Sequence, residues 1–195
     1  MKNSHHSHPS AERILGLLDK IYTLKQTKRA GWLQSGITPA EGESVADHSF
    51  FVALLALLIA PAEGEHINRE KAVQMALLHD LAESVIGDLT PEDGVTATEK
   101  FNREKSALQQ LLGDIPDGEA LMMLWLEFEQ GDSPEAEFVR RLDKLEMALQ
   151  AARYEKSTGI NLAHFFTGVS ELFHQGELTP ALYQLLLQSR KPAQE

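Results

Sequence analysis

The chain has 195 residues, 43% of them hydrophobic, with 18 basic and 29 acidic side chains for a net charge of −11, and no cysteine. That length suits one domain with a sizeable core, and the charge opposes any broad contact with a nucleic-acid backbone. Without cysteine there are no disulfides, thiolate zinc sites or cysteine nucleophiles, so a metal here must use His and carboxylate ligands.

The polar start MKNSHHSHPS has no apolar run of the kind a secretory signal needs, and the expectation is a flexible His-rich tail over 1–10 on a cytoplasmic protein. Ser10 then precedes a helix with an apolar stripe of Ile14, Leu17, Leu18, Ile21 and Leu24, ended by the basic stretch Lys25 to Arg29. Gly31, Gly36, Pro39 and Gly42 mark a loop. Ser44 caps a very apolar helix running to Pro61, and Asn68 caps a third that ends at Gly87. The run FFVALLALLIA within the second falls short of the ~20 residues that cross a bilayer and reads as a buried helix.

Thr96 with Glu99 is a capping box for a helix to about Leu112, and Asp117 opens the LMMLWLEF helix that stops near Gly131. Met122, Met123, Trp125, Leu126 and Phe128 there read as core or dimer surface. Ser133-Pro134 starts a long helix to about Thr158. Two shorter helices, roughly Leu162 to His174 and Pro180 to Ser189, complete an all-α bundle of about eight helices over 11–195, with the last pair in 160–190.

Chemistry concentrates in MALLHDLAESVIGD. His79 and Asp80 are adjacent metal-ligand types in an apolar helix, where a buried Asp needs a partner or a cation. Alone, the pair also reads as a core histidine beside a paired acid. Glu83 follows on the same helix face and Asp88 just past Gly87, which crowds like charges unless a cation neutralises them. His48 in ESVADHS sits one turn into the second helix. Asp143 in RLDKLE lies at the border of the core face marked by Val139, Leu142 and Leu145, where it also reads as a surface ion pair with Arg140 or Lys144. Lys100, Arg103 and Lys105 read as a solvated face, and His66, His164 and His174 have no carboxylate at ligand spacing.

His48, then His79-Asp80 31 residues on, then Asp143 63 residues after Asp80, resembles the HD-domain metal-dependent phosphohydrolases. The stretches RAGW, ESVADHS, ALLHDLAESVIGDLTPEDG, EKFNREKSAL and RLDKLEMALQAARYE are similar, more narrowly, to the HD-domain 5′-deoxynucleotidases, over about residues 12–156. The resemblance implies an all-helical, often dimeric enzyme that removes phosphate from deoxyribonucleoside 5′-monophosphates with one divalent metal. By position it implies His48, His79, Asp80 and Asp143 as ligands, Glu83 and Asp88 as acid/base and nucleotide-site carboxylates, and Arg29 and Trp32 in the substrate stretch. The chain departs from the pattern in placing Ala30-Gly31 between Arg29 and Trp32, so the phosphate contact falls to Arg29, Lys28 or another base. The donor set suits Mn²⁺, Co²⁺, Fe²⁺, Zn²⁺ or Mg²⁺ and does not choose among them. Two other readings stand beside this one: hydrolysis of a cyclic, alarmone or triphosphate nucleotide, and a non-catalytic metal- or nucleotide-binding module. Neither nucleic acid nor membrane is an expected partner.

Overall fold

A computed structural model describes residues 10–64, 66–167, 169–174 and 176–190. The expectations for the His-rich start, His5, His6 and His8 included, lie outside the described residues. Among those described there is no strand, only a single antiparallel bridge between Lys28 and Ser44. The helices are α1 (Ala11–Tyr22), α2 (Ala30–Gln34), α3 (Val45–Ile59), α4 (Arg69–Leu78), α5 (Glu83–Ile86), α6 (Ala97–Leu112), α7 (Gly118–Gln130), α8 (Pro134–Thr158) and α9 (Leu178–Ser189).

Most helices start where the caps place them. Ser10, Asn68 and Ser133 accept the backbone N–H three residues on, and Ser44–Asp47 and Thr96–Glu99 form reciprocal capping boxes. Three segments differ from the sequence reading. The loop after Arg29 contains α2, started where the Ala30 N–H, which has no acceptor within its own helix, finds the Asp88 carboxylate at 2.5 Å. The stretch Leu162 to His174 folds as two 3₁₀ turns, Ala163–Phe165 and Ser170–His174, with Phe173 in a non-helical conformation. The helix expected from Asn68 to Gly87 breaks between Leu78 and Glu83. There the His79 ring Nδ1 donates to the Ala76 carbonyl at 2.7 Å, the acceptor that the α-helical ladder offers to Asp80. The following bonds, Leu81 N to Leu78 O and Glu83 N to Asp80 O, take the tighter three-residue spacing.

The core forms two clusters. One gathers α3, α4, α8 and the C-terminal segment around Val52, Ala56, Met75, Phe138, Leu142 and Leu145. The other joins α6 and α7 to Leu24, Val45 and Leu78 around Leu108 and Trp125. Helix α3 supplies Val45 to the second and Val52 to the first, so His48 falls where the clusters meet. With the turn after it, α3 makes an 18-residue stretch, Val45–Ala62, of mean hydropathy 1.9. Its inner face packs on α4 and α8, while Phe50, Leu57 and Leu58 face outward. On α7, Trp125 and Phe128 are core and Met123 is exposed.

Two carboxylates, the buried Glu63 and the part-buried Glu155, tie the C-terminal segment down. Glu63 Oε1 accepts from the Leu178 N–H at 3.2 Å and from the N–H and hydroxyl of Thr179 at 2.8 Å each, capping α9 from outside it. Gly176, at φ +87°, passes so close that a Cβ there would lie 1.8 Å from Glu63 Oε2. On α8, Glu155 accepts from the Leu162 N–H at 2.9 Å and from Arg190 at 2.5 and 2.7 Å.

Candidate metal centre and substrate cleft

The break between α4 and α5 turns His79 and Asp80 toward the first turn of α3 and the middle of α8. The Nε2 atoms of His48 and His79 lie 3.4 Å apart. Asp80 Oδ2 is 3.2 Å from His79 Nε2 and 3.7 Å from His48 Nε2, and Asp143 Oδ1 is 3.2 Å from His48 Nε2. One ligand atom each from His48, His79 and Asp143 falls within 4.8 Å of the others. The structure thus brings together all four residues assigned as ligands from the sequence.

The tautomers follow from the outer partners. His79 Nδ1–H is committed to the Ala76 carbonyl, and His48 Nδ1–H points at Glu146 Oε2, 2.7 Å away. Both Nε2 lone pairs therefore face one another and two carboxylates, an arrangement that repels itself unless a proton or a cation lies between. Asp143 Oδ1 is buried without a hydrogen-bond partner. Burial and the Arg29 cation work against a charged His48, and Asp143 and Glu146 outweigh them, pushing the imidazolium up to about 9. Burial also opposes an ionised Asp80, yet the charges of His79 and Arg29 hold its carboxyl well below the ordinary range. Two imidazoles and two carboxylates around an orphaned oxygen fit a divalent metal ion.

Arg29 enters from the opposite side. The bridge between Lys28 and Ser44, with the Arg29 N–H on the Glu43 carbonyl, keeps this strand-like piece against the start of α3. Its guanidinium reaches Asp80 at 3.1 Å, Asp88 at 3.3 Å and Glu83 at 3.9 Å. Asp88 uses its other oxygen on the Ala30 N–H, so it fixes both the backbone and the side chain of the arginine segment. Glu83 is 2% exposed and its Oε2 has no partner. Burial, with Asp80 and Asp88 nearby, pushes the Glu83 carboxyl up to about 11 against the pull of Arg29.

These groups form one end of a cleft of about 640 Å³. Trp32 is on its wall but only 2% exposed, held edge-on to Tyr154 and against Phe165, with its Nε1–H donating to Glu43 Oε1 at 2.7 Å. Its body is core and only its rim meets the cleft. Lys28 is not on the wall, and its ammonium donates to the Gly42 carbonyl at 2.7 Å.

Sequence reasoning missed several residues that the fold brings in. Glu146, which orients His48, carried a usable signal, since it lies three residues after Asp143 on the same helix face. Glu43, which holds Trp32, carried none. Lys100, read as solvated surface, lines the cleft and pairs with Glu104 at 3.5 Å. Lys144 also lines it and sits 3.0 Å from Asp143 Oδ2. His164 has no metal-ligand role but stands on the cleft wall, 3.3 Å from Ser35 Oγ.

Known proteins resemble the chain over most of its length. The HD domain family pattern matches residues 21–178. The chain is 36% identical over 178 residues to the 5′-deoxynucleotidase HDDC2 of Danio rerio, covering 89% of this chain and 86% of the fish protein. It is 39% identical over 149 residues to the 5′-deoxynucleotidase hdd1 of Schizosaccharomyces pombe, covering 73% of each. Among solved structures, the PH0347 protein from Pyrococcus horikoshii OT3 superposes with a TM-score of 0.74 at 35% identity, over 89% of this chain and 96% of that one. By the match across most of its length, the chain belongs to the HD domain family.

Proposed function

We propose that the protein is a metal-dependent phosphomonoesterase that hydrolyses deoxyribonucleoside 5′-monophosphates to deoxynucleoside and phosphate. The observation that carries this reading is the convergence of His48 and His79 with Asp80 and Asp143, the two carboxylates lining a cleft that also presents Arg29. The names of the relatives support the substrate class. Those four side chains would hold one divalent ion, whether Mn²⁺, Co²⁺, Fe²⁺, Zn²⁺ or Mg²⁺, which would supply Lewis acidity toward a water and the phosphoryl oxygens.

The chain's own residues do the rest. Arg29 offers a planar fork of donors to the non-bridging phosphate oxygens, and its carboxylate neighbours hold that fork in place before substrate arrives. Glu83, with an oxygen free of protein partners beside Arg29, orients the water and takes or gives a proton at Oε2. Asp88 positions Arg29 and Ala30 and, on the cleft wall, meets the sugar or the leaving 5′ oxygen. Trp32 backs this wall, and Lys28 steadies the Gly42 turn behind it. Spare acids around an unsaturated donor set favour catalysis over a closed structural metal site. The charge of −11 supports a small nucleotide, not a nucleic acid, as the substrate.

The test is to strip the protein of metal, restore Mn²⁺, Co²⁺, Mg²⁺ or Zn²⁺ separately, and measure phosphate release from paired deoxy- and ribonucleoside monophosphates, with Asp80→Ala alongside. Metal-dependent release from the deoxynucleotides that is lost in Asp80→Ala is the expected result. No release from any monophosphate by the metal-loaded protein would sink the reading.

A further inference from the structure

The cleft is larger than its charged end requires. Cavities of ~300–1,000 Å³ enclose whole small ligands, and a phosphoryl group fills a small part of about 640 Å³. From Arg29 the wall runs along α2 to Ser35, six residues at ~1.5 Å each, or about 9 Å. Toward Ser35 the charged lining of Arg29, Asp80 and Glu83 gives way to His164, with Phe165 beside Gly31 between them.

His164 and Phe165 come from the 3₁₀ turn after α8, outside the stretch that carries the sequence resemblance. Their ring centroids are 4.3 Å apart, and Phe165 in turn lies 4.2 Å from Trp32. Phe165 also packs over Gly31, its Cζ 3.7 Å from where a Cβ there would stand, an ordinary van der Waals distance. Ser35 Oγ spends its proton on the Gly31 carbonyl at 2.7 Å, so His164 Nε2–H is the donor in the 3.3 Å contact between them. That bond sets the ring at the mouth of the cleft while leaving His164 exposed. Behind the turn, Glu155 holds the Leu162 N–H and Arg190, so this aromatic pair is fixed to α8 from both sides.

We propose that the His164–Phe165 pair is the shelf on which the nucleobase stacks, with the phosphate at Arg29. The inference rests on the phosphomonoesterase reading and deepens it. Such a shelf of aromatic faces takes a base and is tolerant of which one, because every base has a π face.

The experiment compares dAMP and dCMP with deoxyribose 5-phosphate, which carries the phosphate and sugar without a base, on the metal-loaded wild type and on His164→Ala. Loss of one base stack corresponds to a change of about tenfold. His164→Ala is therefore expected to raise KM for both nucleotides about tenfold, leave kcat and the base-free substrate unchanged, and weaken inhibition by free deoxyadenosine by the same factor. His164→Phe is expected to restore nucleotide KM. Phe165→Leu, which keeps bulk against Trp32 but removes the ring that backs His164, is a second arm, expected to raise nucleotide KM in the same direction and leave the base-free substrate unchanged. Equal losses on nucleotide and base-free substrate, or an unchanged nucleotide KM, overturn the shelf while leaving the esterase standing. Wild type that hydrolyses deoxyribose 5-phosphate as well as dAMP does the same. Hydrolysis of none of the three overturns both readings.

Discussion

Glu146→Ala isolates the contribution of a residue that touches neither phosphate nor the cleft. Its side chain is almost fully buried, and its Oε2 stands 2.7 Å from His48 Nδ1, fixing the tautomer that aims Nε2 at Asp80 and Asp143. Hydrogen bonds to charged groups contribute roughly 1.5–3 kcal/mol net. Part of that is returned, because burial and then the Glu146 charge push the neighbouring Glu43 carboxyl up to about 7, and removing Glu146 relieves it. The expected weakening of metal binding is thus about 1.4–2.7 kcal/mol, or ~10–100-fold in affinity. Calorimetric titration of Mn²⁺ or Zn²⁺ into the metal-free protein reads it directly. Thermal unfolding of the same sample reports the hole left by the side chain separately. Glu146→Gln retains an acceptor oxygen and the volume, so it is expected to lose less. A folded Glu146→Ala variant that binds metal within twofold of the wild type would refute the orienting role.

Glu63→Ala strands three donors at the start of α9 and is expected to cost about 2–4 kcal/mol of stability, read as a lower urea midpoint. An unchanged midpoint would show that the carboxylate cap is not what seats the C-terminal helix. Chelation should lower Tm, since an ion at a hundred times its Kd contributes about 2.7 kcal/mol; Asp143→Asn, lacking an ionised ligand, should respond far less, and equal shifts would argue that the chelator acts elsewhere. The Arg190 guanidinium, against the opposing effect of burial, holds the Glu155 carboxyl below its usual range. A depressed carboxyl contributes stability that is present above its unfolded pKa of about 4.3 and is lost as pH falls through the lower folded value. Arg190→Met is therefore expected to flatten the acid side of the urea stability profile below ~pH 5, and a profile as steep as that of the wild type would remove the pair from the account.

What the sequence determined by itself is local. Side-chain oxygens at Ser10, Ser44, Asn68, Thr96 and Ser133 have a fixed reach to the third residue on, so most helix starts were legible one by one. The four side chains that converge, His48, His79, Asp80 and Asp143, were legible as a set only through the order of motifs shared with the HD-domain enzymes; taken singly, Asp143 also read as a surface ion pair and His79 as a core histidine. Tertiary structure decided the rest. The break after Leu78 depends on a histidine ring taking a carbonyl from its own helix, and α2 depends on a carboxylate from residue 88 meeting a backbone N–H at residue 30, separations no periodicity encodes. Glu43 was silent until folding placed Trp32 against it. His164 looked idle in sequence because its partners, Ser35 just past α2 and the cleft itself, exist only once the segment after α8 is drawn back by Glu155. Local propensity reads bonds that close within a turn. The site is made of bonds that close across the chain.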